Sequence, residues 1–355
     1  MGHERGICVL VKADAYGHGA LQIARTALDE GASCLAVALV DEGAELRAGG
    51  ITAPILLFSQ PLYDEISSLI NSGLSPFVSD VDFADALNRA AAHAGVKIPV
   101  HIKIDTGMGR MGCAPQEAAG LAQYVANCAA LEYAGTATHL AAADSANPAD
   151  IAYTQGQSAR FREALSAIRA AGINPGIVHA ANSGGVLLHP DSWFDMVRPG
   201  ILLYGYKTIS DIETSPISLT NLEIDIKPVM EFRTNIVFIK KIKKGESLSY
   251  GRTWTAGHDT TVGVLPAGYG DGLPRLASNR WQVSIHGGLY PLVGRICMDQ
   301  CLVDLGPESQ IQRGDEVQIF GGAAPDAFDL ASLIGTIPYE ITCNINKRVP
   351  RIYVE

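Results

Sequence analysis

The run GICVLVKADAYGHGALQIARTALDEGASCLAVAL (6–39) holds two short apolar segments, GICVLVK (6–12) and CLAVAL (34–39), on either side of LQIARTALDEG (21–31), an alanine-rich amphipathic stretch closed by glycine. An apolar strand, a helix ended by Gly and a second apolar strand make up a βα unit of a parallel sheet. Outward from it the pattern recurs. Further strand-length runs are PILLFS (54–59), SPFVSD (75–80), PVHIKID (99–105), YAGTATHL (133–140), GIVHAANS (176–183) and MVRPGILLYG (196–205). The stretches DEGAELRAGG (41–50), DFADALNRAAAHAG (82–95) and YTQGQSARFREALSAIRAAG (153–172) supply helices between them. Eight such strands predict a (β/α)8 TIM-type barrel, and a doubly wound open sheet is the rival arrangement.

After residue 205 the texture changes. SDIETSPISLTNLEID (210–225) is polar and turn-rich, and beyond it the chain alternates as strands do, with Gly and Pro breaks and one short helix candidate near DLASLIG (329–335). These features predict two domains, a barrel over residues 1–214 and a mainly β C-terminal domain over 215–355. A length of 355 residues, 47% of them hydrophobic, is ample for two cores.

A net charge of -10 gives no basic field for a nucleic-acid backbone. The seven cysteines (8, 34, 113, 128, 297, 301, 343) lie mostly in apolar runs and read as reduced. Cys297 and Cys301, in CMDQC, have no further Cys or His pair at zinc spacing, so the reading is core strand and no metal. The N-terminal MGHERGICVL contains no segment long enough for a signal peptide or membrane span, and the expected location is the cytoplasm.

In a (β/α)8 barrel, reactive groups gather where strands end and βα loops begin. The first strand ends in Lys12, followed by Asp14 and Tyr16; the fifth in Lys103 and Asp105, with Arg110 in the next loop; the sixth in His139. The seventh ends in Asn182, Ser183 and Gly184, and the eighth carries Arg198, Gly200 and Ile201. A lysine in an apolar strand is costly unless paired, deprotonated or covalently used. A Schiff base to an aldehyde cofactor would use Lys12 in its neutral form, and a lysine snorkelling past the strand end is the alternative. The loops after the seventh and eighth strands are where barrels commonly hold a phosphate, although NSGG alone fits a plain turn as well. Lysine and phosphate cradle together point to pyridoxal phosphate.

The string VKADAYGHG (11–19) resembles the cofactor-lysine motif of the alanine racemase family. HIKIDTGMGRMG (101–112), HAANSGG (179–185), RPGILLYG (198–205), SYGRTW (249–254), GYGDGLPR (268–275), GRICMDQ (294–300) and PYEITCNINKRVPR (338–351) resemble the same family in the same order, across nearly the whole chain. The resemblance implies Lys12 as Schiff-base lysine and base on one face of the substrate, with Tyr250 as the base on the other. It implies that Tyr16, Ser183, Gly200, Ile201 and Tyr339 hold the cofactor phosphate, with Asn182 beside them. Arg198 would face the pyridine nitrogen and His179 would support Arg198.

By the same resemblance, His139 positions the catalytic tyrosine and Arg110 lies near the phenolic oxygen and substrate carboxylate. The Met298 backbone, with Asp299 next to it, meets that carboxylate. Lys103 matches a lysine that many members carry as a carbamate steadying Arg110, and Tyr269, Arg275, Arg295, Ile337 and Tyr339 match the substrate entrance. The implied assembly is a homodimer with shared active sites, and the implied role is D-alanine supply for peptidoglycan. Only eleven residues precede Lys12, where the family usually has an additional N-terminal segment. Either the chain starts downstream of its natural start or it does without that packing.

Inverting an α-carbon requires removing a proton from one face and returning one to the other, which two acid–base groups do most simply. An arginine at the pyridine nitrogen stays charged and delivers no proton, unlike the carboxylate of many related sites. Three other readings remain at this point: a racemase of broader or different amino-acid specificity, a basic amino-acid decarboxylase, and a non-catalytic pyridoxal-phosphate carrier. Arg198 departs from the glutamate usual in the decarboxylases, and Tyr250 with the MDQ loop argues against a carrier. Taken without the other motifs, Tyr250 reads as an ordinary sheet tyrosine.

Overall fold

A computed structural model describes residues 5–207 and 226–354. The chain separates into two compact units, one containing Gly19–Leu203 and the N-terminal strand, the other containing Tyr16–His18, Tyr204–Tyr206 and the chain from Ile226 on. The boundary expected at 214/215 lies outside the described residues.

The first unit is a closed parallel barrel in sequence order. Its strands are β1 (Gly6–Leu10), β2 (Cys34–Val37), β3 (Ile55–Leu57), β4 (Ser75–Val78), β5 (Ile98–Lys103), β6 (Leu131–Ala137), β7 (Ile177–His179) and β8 (Met196–Val197). Closure is made by β8 on β1, with Gly6 opposite Met196 and Ile7 opposite Val197. Each strand overlaps its expected run, β5 beginning one residue and β6 two residues ahead of theirs, and closure excludes the open sheet. The eighth differs, because Ile201–Tyr204 turns into a 3-10 helix instead of prolonging the strand. Pro199, which donates no backbone N–H to a ladder, and Gly200 intervene between the two. Helices Ala20–Asp29, Val40–Ala48, Val81–Ala94 and Pro148–Ala170 form where the amphipathic stretches predict them.

The backbone just past β1 is unusual. Ala13, Asp14, Ala15 and Tyr16 all have φ between 52° and 55°, one turn of left-handed helix. For L residues this conformation costs about 1–2 kcal/mol each, so the surroundings must hold it. The Glu42 carboxylate accepts from the backbone N–H of Ala13 (2.6 Å), Ala38 (2.8 Å) and Leu39 (3.1 Å), and Asp14 Oδ1 accepts from Ala20 N–H at 2.8 Å. Helix Val40–Ala48 is thereby tied to the residue that follows Lys12.

The second unit is mainly β. A three-stranded antiparallel sheet of Phe238–Ile242, Thr260–Leu265 and Cys301–Gly306 accompanies a four-stranded one of Gly288–Pro291, Gln282–Ile285, Glu316–Phe320 and Phe232–Asn235. Ile242, Leu248, Ala256, Val262 and Val293 form one of its buried clusters. The expected helix is Ala327–Ile334, capped by Asp326, but Pro338–Cys343 is a second one that the periodicity does not reveal. Its first residue is Pro338, a position where the missing N–H costs nothing. Cys301 is buried in its strand as expected, whereas Cys297 is half-buried in the loop before it.

Candidate active site

In the barrel unit, the strand-end residues converge electrostatically on His139. Burial lowers its pKa well below the histidine norm, and the charges of Lys103, Arg198, Arg110 and Lys12 push the same way. Lys12 itself lies past the end of β1, at the start of the left-handed turn, and is half-buried. This corrects the expectation of a lysine within an apolar strand. The deeply buried amine is that of Lys103, whose pKa is lowered well by burial and then by Arg198 and Arg110.

Arg198 is 1% exposed, and among the described residues no carboxylate pairs with it. Its Nη1 donates to His179 Nδ1 at 2.9 Å, and its Nη2 donates to the carbonyls of Thr138 (2.8 Å) and Ala180 (2.9 Å) and lies 3.4 Å from His139 Nδ1. Burial brings it down to about 10, still protonated at neutral pH. Two stacked rings, Phe58 and Phe77 at 4.9 Å, provide further compensation: Arg198 lies over the first at 5.5 Å and Lys103 over the second at 5.4 Å. The Arg198 Nε is buried and has no hydrogen-bond partner among the described residues.

Two loops of the barrel are bound together by one helix. Asp105 Oδ1 accepts from the N–H groups of Gly107, Met108 and Gly109, shaping the turn that leads to Arg110. From one face of helix Pro148–Ala170, Tyr153 donates to Gly107 O at 2.6 Å and Arg160 to Thr106 O at 2.8 Å. Between them the fully buried Gln157 donates to His139 O at 3.1 Å and accepts from Ala141 N–H at 2.8 Å. Gln157 was not singled out in the sequence, because a glutamine inside an amphipathic helix carries no periodic signal. The phosphate-loop candidates also meet: Ser183 Oγ accepts from Gly200 N–H at 2.9 Å and from Leu202 N–H at 3.3 Å, and the Asn182 side chain caps Gly185 N–H while donating to Leu140 O.

In the second unit, Tyr16 packs against Tyr204 (5.0 Å) and Tyr339 (5.8 Å). Its phenol is pushed up, first by burial and then by Tyr339 and Cys343. Tyr250 begins a helical turn over Tyr250–Arg252, not a strand, and follows Ser249, whose φ of 62° is held by a 2.7 Å bond from its hydroxyl to Arg295 O. The GYGD and CMD loops are joined by backbone bonds, Tyr269 N–H to Cys297 O at 3.0 Å and Gly270 N–H to Met298 O at 2.8 Å. A Cβ on Gly268 would run into the carbonyls of Cys297 and Met298, so the approach requires glycine. Arg348 forks onto Asp271 (2.7 Å) and Asp299 (2.9 Å), tying the same loops, a role that its motif alone does not reveal. Tyr250 is 72% exposed in the single chain, and Tyr269, Arg275, Met298 and Ile337 are exposed with it, while Arg295 and Tyr339 are half-buried.

The buried histidines set a pH dependence. Burial, with Arg198 next, pushes His101 down to about 4, and His179 and His139 are also well below the usual value. In the unfolded chain each takes up a proton near pH ~6.5. The unfolded state therefore binds more protons as the pH drops, and stability present above that point is lost as pH falls toward about 4 for His101. Thermal unfolding should show Tm falling between about pH 7 and about pH 5, and an unchanged or higher Tm on acidification would contradict these assignments.

A family model described as "Alanine racemase, N-terminal domain" matches residues 1–208, and one described as "Alanine racemase, C-terminal domain" matches residues 229–353. The chain is 49% identical to an alanine racemase of Treponema denticola over 98% of its own length and 91% of that protein's. It is 47% identical to an alanine racemase of Treponema pallidum subsp. pallidum, covering 98% of this chain and 93% of that one. Among solved structures, an alanine racemase of Clostridium difficile 630 aligns with a TM-score of 0.89 at 34% identity, covering 98% and 89% of the two chains.

Proposed function

The chain belongs to the alanine racemase family, and from that premise we propose that it interconverts L- and D-alanine with pyridoxal phosphate held on Lys12, using Lys12 and Tyr250 as bases on opposite faces of the substrate. The observation that carries this reading is the buried, unpartnered Nε of Arg198. A buried donor without an acceptor calls for one from a ligand, and a pyridine nitrogen is such an acceptor. When bound, pyridoxal phosphate supplies the electron sink for the charge left as the α-proton departs.

The chain's own residues do the rest. Ser183, Gly200, Ile201, Tyr16 and Tyr339, with Asn182, hold the phosphate. Arg198 faces the ring nitrogen as a donor that keeps its proton, and His179 supports it. Lys12 Nζ and the Tyr250 hydroxyl each take or return a proton at the α-carbon, His139 positions Tyr250, and Arg110 with the Met298 backbone orients the carboxylate. Tyr269, Arg275, Arg295, Ile337 and Tyr339 shape an entrance suited to a small side chain.

Lys103 is carbamylated in this reading. Burial and neighbouring cations favour the neutral amine, which can attack carbon dioxide and release a proton, and the resulting carbamate would place a negative charge beside Arg198 and Arg110. Electron density for a bare amine in crystals grown under ambient carbon dioxide would refute it. The exposure of Tyr250 supports a homodimer in which one chain's β domain completes the partner's site. The enzyme would act in the cytoplasm and supply D-alanine for peptidoglycan; among the described residues no helix is long and apolar enough to cross a membrane. An enantiomer-resolved assay with alanine, serine and lysine tests the function. Cofactor binding without D-alanine formation would favour the carrier, and comparable rates on all three amino acids a broader racemase.

A further inference from the structure

Beyond the residues of the proposed site, the barrel interior contains a third imidazole that the sequence left unassigned. His101, on β5, is 4% exposed, and its Nδ1 lies 2.8 Å from His179 Nε2. The contact crosses β6, which runs between the two strands. It is possible because His101 and the residue opposite it, Gly135, sit beside a bulge in the β5–β6 register. A Cβ at Gly135 would strike the His101 ring. Glycine at this strand position gives up side-chain packing and leaves room for one ring to reach the other.

The hydrogen bonds fix the protons along this chain. Arg198 has only donors, so His179 Nδ1, 2.9 Å from Nη1, must accept and carries no proton. His179 is neutral, since its pKa lies well below the usual value, and its single proton is therefore on Nε2. That N–H donates to His101 Nδ1, which must be bare in turn. His179 then presents its bare nitrogen to the buried Arg198 guanidinium, and His101 presents its own to the N–H of His179. In the other tautomer His179 would turn an N–H toward Arg198, donor against donor.

We propose that His101 is a positioning residue for the racemisation site: as acceptor for His179 Nε2–H it locks the tautomer that supports Arg198 and so keeps Arg198 Nε aimed as a free donor. The last step rests on the reading of Arg198 as the group facing the pyridine nitrogen. His101 does not act on substrate. Without it, His179 has a buried N–H with no acceptor, and the preference between its tautomers weakens.

The test compares His101→Leu, which removes the acceptor, with His101→Asn, whose Oδ1 can stand near the position of Nδ1. Imidazole 15N NMR of the full-length protein reads the tautomer of His179 directly, and steady-state kinetics of the cofactor-loaded enzyme read its consequence. In the unaltered protein, His179 Nδ1 should resonate as a bare acceptor and Nε2 as a protonated nitrogen. His101→Leu should mix the two tautomers and lower kcat roughly tenfold with KM little changed, and His101→Asn should restore both readouts. A proton on His179 Nδ1 in the unaltered protein overturns the proposal. So does His101→Leu that shifts the tautomer yet keeps kcat, or His101→Asn that behaves no better than leucine. If leucine prevents folding, the asparagine variant alone decides: it must keep the Nε2–H form and most of kcat. Failure of the racemase reading is distinguishable, because the unaltered protein would then form no D-alanine while the tautomer measurement still stands.

Discussion

Replacing Lys12 by alanine is expected to abolish both the visible absorbance of the cofactor-loaded protein and racemisation, the latter by roughly a thousandfold or more, because one residue is asked both to hold the cofactor and to move a proton. The fold should survive. Lys12 lies beyond β1 and is half-buried, and the left-handed turn after it is held by Glu42 through the backbone N–H of Ala13, which alanine at position 12 leaves in place. Borohydride reduction of the unaltered protein followed by peptide mapping should find the cofactor on the peptide containing Lys12. A Lys12→Ala protein that keeps its absorbance and its turnover would overturn the site assignment.

The barrel was legible because each strand is a short apolar run and several of the helices between them are amphipathic stretches closed by glycine. LQIARTALDEG is one such helix, and the structure puts Ala20–Asp29 there. Legibility ended where a local rule met a tertiary demand. ILLYG is apolar enough for a strand, but Pro199 and Gly200 break the ladder and the residues coil. Pro338–Cys343 is too short for a helical period to show, and the left-handed turn at 13–16 violates the preference of every residue in it, so no propensity could have announced it.

For the site, the strand ends pointed to the cations whose charges meet at His139 but misjudged which lysine is buried. The apolar run ahead of Lys12 drew attention to it, whereas Lys103 is buried over the Phe77 ring and within the field of Arg198, a setting that the closed barrel creates. His101 had a readable sign. It stands two residues before Lys103 on β5, and period-2 alternation puts both on one face of the strand. Gln157 and Arg348 had none, since Gln157 acts from a helix on the backbone after β6 and Arg348 joins two loops far from it in sequence.

Mixing two inactive variants, Lys12→Ala and Tyr250→Phe, under conditions that exchange subunits is expected to restore activity. The expectation follows from where the two proposed bases lie. Lys12 belongs to the barrel unit, and Tyr250 to the β unit, where it stands 72% exposed in the single chain together with Met298 at 53% and Ile337 at 57%. Aromatic and apolar side chains this exposed, with Tyr250 and Met298 on loops that Ser249 and Arg348 hold in place, are what a partner chain would cover. In a two-fold dimer the same surface on each chain serves the partner, so two sites are completed by one symmetric contact. A heterodimer of the two variants then has one site lacking both bases and one with both. At statistical mixing about half the dimers are hetero, each with one intact site, and recovery should approach roughly a quarter of the unmutated activity. Subunit exchange can be followed independently by native mass spectrometry of differently tagged chains. Exchange without recovery would mean that one chain supplies both bases to its own site.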